Sequence, residues 1–124
     1  MDKRKSTYES LRDWILQLPE VSEAPHRFGG TEFQVDGIEF MHSHGISYLD
    51  IRLSKADQAM VLKSGEALPH RFAPHGEIGW VSFRIETPED LGRARKVIQL
   101  AYDNAMKGLQ DIRARRVRSE PASA

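Results

Sequence analysis

Apolar residues near the start of the chain recur at helical spacing and then switch to alternation. Tyr8, Leu11, Ile15 and Leu18 stand three or four positions apart, which predicts a helix with one face turned toward a core. Ser6, with Glu9 three residues on, reads as a capping box opening this helix, and Pro19 closes it. The period then drops to two. Phe33 and Val35 alternate with Glu32 and Gln34, and Asp36-Gly37 is the signal of a two-residue hairpin turn with positive φ at both positions. A return strand is expected over residues 38–44, a second tight turn at Gly45, and a further strand over 46–53. That strand puts Leu49, Ile51 and Leu53 on one face and Tyr48, Asp50 and Arg52 on the other. Residues 25–28 read as an edge strand, because Pro25 cannot donate to a central ladder.

The second half repeats the alternation once and then becomes helical. Ser54 is placed to cap a short helix that stops before Gly65. Residues 66–79 read as a loop carrying Pro69 and Pro74, followed by a strand over 80–86 with Val81, Phe83 and Ile85 on one side. Thr87-Pro88-Glu89-Asp90 is a helix start: a cap, proline at the first helical position, then acids near the positive end of the dipole. Leu91, Ala94, Val97, Ile98, Ala101, Tyr102, Ala105, Leu109 and Ile112 then form one long apolar stripe. Strands clustered between helices favour an α+β fold over a βαβ one. The expectation is a single α+β domain over residues 6–116, with flexible ends at 1–5 and 117–124. Its antiparallel sheet would have four to five strands, flanked by the N-terminal helix and a long C-terminal helix. The expected core comprises Leu11, Ile15, Phe33, Val35, Leu49, Ile51, Val81, Phe83, Ile85, Val97, Ile98 and Ala101.

Composition removes several classes of function. With 18 basic and 18 acidic residues the formal net charge is zero, unlike a general polyanion binder. No strong nucleic-acid binding is therefore expected. There is no cysteine, hence no disulfide framework, thiolate metal site or cysteine nucleophile. No run of about 18 apolar residues suits a membrane span, and the charged start MDKRKSTYES lacks the apolar segment of a signal peptide. Cytoplasm is the expected location.

The five histidines carry the candidate chemistry: His26, His42, His44, His70 and His75. His42 and His44 are two apart on one strand and so share a face, and by parity Ile38 and Phe40 share it too. The strand would then run from a buried apolar half to an imidazole-bearing half at a pocket mouth. The alternative is a set of surface or hydrogen-bonded histidines. H-x-H is also a spacing from which one metal can take two nitrogens, and His42, His44 and His70 together would make an open zinc site. Metal-bound histidines give their other N–H to a carboxylate or carbonyl, and Asp50 is the one evident support. A metal-free, histidine-lined pocket without a cofactor is therefore expected, in which at least one crowded imidazole titrates below its ordinary value. His42, His44, His70 and Asp50 are the catalytic candidates; Arg27, Tyr48 and Trp80 are candidates for holding a ligand. Asp50 and Asp36 could each partner an imidazole; the plainer reading is a turn residue for Asp36 and a solvated strand face for Asp50, and Arg52 and Arg84 are read as solvent-facing. Gly29-Gly30 has no phosphate-loop spacing. Ser47, Ser64 and Ser82 lack the context of a hydrolase nucleophile. From Arg93 onward there are eight Lys/Arg against three Asp/Glu, with Arg113, Arg115, Arg116 and Arg118 crowding the helix end. Cations suit that end; the alternative is a contact site for nucleic acid or an acidic partner.

PHRFGG (25–30), HSHG (42–45), LDIRL (49–53), LPH (68–70), GWVSFRI (79–85) and AY (101–102) in the long helix resemble, in order and spacing, a small bacterial family of unknown function labelled "luciferase domain". The resemblance covers about residues 18–105. It matches His42, His44 and Gly45 to the H-x-H-G element, Asp50 to the following acidic position, His70 to a loop histidine and Trp80 to a G-W element. The label implies no mechanism: flavin-dependent luciferases are barrels of about twice this length. The element order is also similar to that of YjbR-like α+β proteins, an analogy of fold alone. Two functions are consistent with these residues. One is a small-ligand-binding domain with a histidine-lined pocket, enzymatic or not. The other is a non-catalytic interaction domain using the basic end of the C-terminal helix.

Overall fold

A computed structural model describes residues 3–26, 29–69 and 78–119. Arg27, His70, Arg71 and His75 lie outside the described residues.

The first helix, α1, spans Lys3–Leu16 and starts three residues before the expected cap. Lys3, Arg4 and Lys5 are good helix formers. Ser6 is inside the helix, and its hydroxyl, like that of Thr7, donates back to the Lys3 carbonyl. The capping box is therefore absent. After α1 come strands β1 (Val21–Pro25), β2 (Thr31–Val35), β3 (Ile38–His44) and β4 (Tyr48–Arg52). The edge strand thus ends at Pro25 instead of beginning there. Helix α2 (Lys55–Ser64) has the expected Ser54 cap, whose side chain accepts the Asp57 N–H, and the expected left-handed Gly65 behind it. The segment expected to be all loop contributes a two-residue strand, β5 (Leu68–Pro69), ahead of β6 (Trp80–Arg84) and the 30-residue α3 (Asp90–Ser119). The Asp90 and Leu91 N–H groups bond the Thr87 and Pro88 carbonyls, a tight turn that leads into α3. Residues 117–119, expected in a flexible tail, continue that helix.

Among the described residues the sheet is antiparallel and six-stranded, in the order β1-β2-β3-β4-β6-β5, one strand more than the upper expectation. One face is apolar. Phe33, Met41, Ile51 and Val81 are cross-strand partners in a single row, with Leu49 and Phe83 in the next. Leu11 and Ile15 of α1 and Val97, Ile98 and Ala101 of α3 complete one continuous core with them, and every residue of the expected core is buried. Tyr102 on α3 donates its hydroxyl to the Pro19 carbonyl, fixing the helix to the turn after α1.

The register slips once. Gln34 pairs with Glu39 and Phe33 with Met41, so Phe40 is an extra residue in β3. Such a bulge turns two neighbouring side chains toward the same side. Phe40 and Met41 are both fully buried, and the Phe40 ring lies edge-on to Tyr102 at 6.0 Å. Ile38 and Phe40 therefore belong to the core side, contrary to simple alternation, and Glu39 moves to the face of His42.

Candidate functional site

The other face of the sheet is polar and, at its centre, equally closed. One row crosses five strands: Glu32, His42, Asp50, Ser82 and Leu68 are successive partners from β2 to β5. His44, Tyr48 and Arg84 form the row beside it. Asp50, on the central strand β4, is 2% exposed, where a carboxylate must be hydrogen-bonded. Its Oδ2 lies 3.1 Å from His42 Nε2 and 2.9 Å from His44 Nε2, and its Oδ1 accepts the Ser82 hydroxyl at 2.7 Å. Two imidazoles thus turn the same ring nitrogen toward one carboxylate oxygen.

The bulge brings in a second carboxylate. Glu39 Oε1 stands 2.7 Å from His42 Nδ1 and 3.6 Å from His26 Nε2. His26 follows β1, where its N–H donates to the Gly30 carbonyl across a turn that holds Gly29 and Gly30 at φ of +91° and +84°. A Cβ on Gly30 would lie 1.8 Å from the Ser43 carbonyl oxygen, so only glycine brings this turn so close to β3. The His26 ring stacks on His42 at 4.0 Å, and the Trp80 ring is tilted against His42 at 5.3 Å.

The expected site residues are therefore sorted. His42, His44 and Asp50 converge. Trp80 packs beside His42, and Tyr48 stands next to His44 under the Arg84 guanidinium, 5.5 Å from its ring centre. Arg52 and Arg84 are exposed, as expected. Asp36 occupies the hairpin turn at φ +46° and approaches Arg113 instead of an imidazole. Two members were missed: Glu39, hidden by the parity change at Phe40, and Ser82, which carries no hydrolase signal and serves as a donor to Asp50; His26, one of the five candidate histidines, was not expected to join His42 and His44, being separated from β3 by the glycine turn. The positive φ of Asp36-Gly37 was readable, but nothing in the alternation marks Phe40 as the extra residue.

The charge on His42 is set by two opposing influences. Burial, the largest single influence, disfavours its imidazolium, yet the hydrogen bonds to Asp50 and Glu39 and their negative charges outweigh it. The His42 pKa is therefore raised above its ordinary value. Among the described residues, two sets bring their potential ligand atoms within 4.8 Å of each other inside the set: His42, His44 and Asp50, and His26, Glu39 and His42.

Comparison with known proteins places the chain in a family. A family model described as the luciferase domain matches residues 37–101, just over half of the 124-residue chain. The chain belongs to the luciferase-domain family. The matched part of the luciferase domain begins at the β2–β3 hairpin and takes in Glu39, His42, His44, Asp50, Trp80 and Ser82, whereas His26 lies ahead of it. A search of the curated proteins gave no match. No described helix of the luciferase domain is long and apolar enough to cross a membrane.

Proposed function

We propose that this domain binds a small ligand on the polar face of its sheet, with His42, His44 and Asp50 as the groups that meet it and Trp80 and Tyr48 at its margin. The observation that carries this reading is the convergence of both histidine Nε2 atoms on one buried carboxylate oxygen. A structural role alone explains it poorly. Burying charged groups is costly, and replacing a buried ionic cluster by apolar side chains is often neutral or stabilising. Here three imidazoles and two carboxylates are gathered opposite a core that already supplies an apolar face. His44 retains 23% side-chain exposure, so the cluster reaches solvent at that edge. The setting we infer is cytoplasmic, and the site serves binding or proton transfer alike, since neutral and charged imidazole, carboxylate and hydroxyl are all within hydrogen-bonding reach.

A titration of the 15N-labelled chain with a library of small polar fragments tests this. Shifts should map to His26, Glu39, His42, His44, Asp50 and Trp80, with a change in tryptophan emission. A library whose hits all map to the helical face would remove the reading.

The second reading, an interaction domain using the basic end of α3, has less support. Arg113 is 3.0 Å from Glu20 and 3.8 Å from Asp36, so part of the basic cluster is committed within the chain. Duplex DNA is expected to bind weakly at about 150 mM salt, because zero net charge provides no long-range attraction. A submicromolar gel shift under those conditions would promote this second reading.

A further inference from the structure

We propose that His42, His44 and Asp50 are the protein ligands of a divalent first-row transition-metal ion, zinc being the ion that fits their chemistry, and that Glu39 and Ser82 hold those ligands in place. The proposal rests on the ligand-site reading above and names the class of ligand. Two imidazole nitrogens and a carboxylate oxygen suit zinc, iron, cobalt or nickel and do not suit magnesium or calcium, which select oxygen. Three protein ligands are the complement of a catalytic zinc site, whose remaining position takes water or a substrate atom.

The spacing supports this. Ligand atoms about 2.0–2.1 Å from a tetrahedral ion stand about 3.3 Å from one another. The two Nε2 atoms are 3.1 and 2.9 Å from Asp50 Oδ2, so an ion enters by widening those edges by a few tenths of an ångström. The groups behind the ligands are also those that a metal centre uses. His42 has Nε2 in the cluster and Nδ1 2.7 Å from Glu39 Oε1. Donation of the Nδ1–H to Glu39 fixes the tautomer that leaves the Nε2 lone pair for the ion. Asp50 is oriented in the same way by the Ser82 hydroxyl on Oδ1, which leaves Oδ2 for the metal. The sequence argued against a metal for want of a second carboxylate, and the bulge at Phe40 supplies it. The other set, His26, Glu39 and His42, is less suited. It would take Glu39 away from His42 Nδ1 and use an oxygen 3.6 Å from His26 Nε2.

Calorimetric titration of the full chain with Zn2+, alongside Mg2+ and with Co2+ followed by visible absorption, tests the proposal. The expected result is one zinc per chain, visible d–d bands from cobalt with nitrogen and oxygen ligands, and no magnesium heat. His44→Gln, at a partly exposed position, should abolish stoichiometric binding while the fold is retained by circular dichroism. Glu39→Gln should weaken binding about 10–100-fold, the usual cost of removing an outer partner. His26→Ala should leave the stoichiometry unchanged. Zinc binding that survives His44→Gln, or that is lost in His26→Ala and kept in Asp50→Asn, overturns the assignment. Absence of both zinc heat and cobalt bands overturns it as well. In that last case, fragments that still map to His42 and His44 keep the ligand site and dismiss only the metal; their failure too dismisses both.

Discussion

The two faces of this sheet are equally well buried at their centres and are held together by different physics. On one, Phe33, Met41, Ile51 and Val81 meet α1 and α3, and the free energy comes from apolar area and close contact. On the other, His42, Asp50 and Ser82 occupy the next positions along the same strands and are held by hydrogen bonds directed at one carboxylate. The apolar face tolerates no missing volume. The polar face depends in addition on each donor meeting its acceptor. The first explains why the chain folds, and the second why this fold would be put to use.

The contrast predicts a ranking of substitutions. Phe33→Ala, at a fully buried position, should destabilise the domain by about 3–5 kcal/mol in a denaturant titration. A variant that unfolds with the parent would break the assignment of the apolar face. Gly79→Ala comes next. Its backbone is at φ +93°, and a Cβ would stand 2.3 Å from the Leu53 carbonyl oxygen, where β6 starts beside the polar site. Strain of about 1–3 kcal/mol is expected, with disturbance of the Trp80 resonances. Ser82→Ala removes a hydroxyl donor from Asp50 and should cost about 1–2 kcal/mol. Its sharper effect should be on the chemical shifts of His42 and His44, which a core substitution of equal cost would leave in place.

The smallest effect lies away from both faces. Asp90 is held below the ordinary carboxylate pKa, first by the backbone N–H of Glu86, which with the Thr87 N–H and Arg93 outweighs its burial. A depressed carboxylate contributes stability that is present above its unfolded pKa, about 3.9, and is lost as pH falls through the folded value. Asp90→Asn should therefore cost about 0.5–1 kcal/mol at neutral pH, and the gap to the parent should close below about pH 4. A gap that widens in acid would contradict the sign.

The apolar face could be read from the sequence nearly residue by residue, because period-two and period-3.6 patterns encode burial directly. Leu49, Ile51, Val81, Phe83, Val97 and Ile98 all stand where alternation and the helical stripe place them. The α2 cap at Ser54 and the turn at Asp36-Gly37 were equally plain, since each depends on local chemistry. The polar face was only half legible. His42, His44 and Asp50 follow from parity on β3 and β4. Glu39 does not, because one inserted residue at Phe40 inverts the parity of everything before it. Ser82 joins through register across strands far apart in sequence, and His26 through the close approach of the glycine turn to β3, neither of which a local pattern records. The helix ends were misplaced for a related reason: at Lys3 and Ser119 helix propensity extends past the cap and the apolar stripe that marked the boundaries.

The most direct test of the polar face as a site is a long-range 1H–15N spectrum of the histidine side chains, recorded before and after one equivalent of zinc. Nε2 of His42 and of His44 should shift together to metal-bound values, His42 Nδ1 should stay protonated against Glu39, and the His26 nitrogens should not change ligation. Spectra in which neither Nε2 moves, or in which His26 responds and His44 does not, would contradict the central claim that Asp50 gathers these two imidazoles to hold one ion.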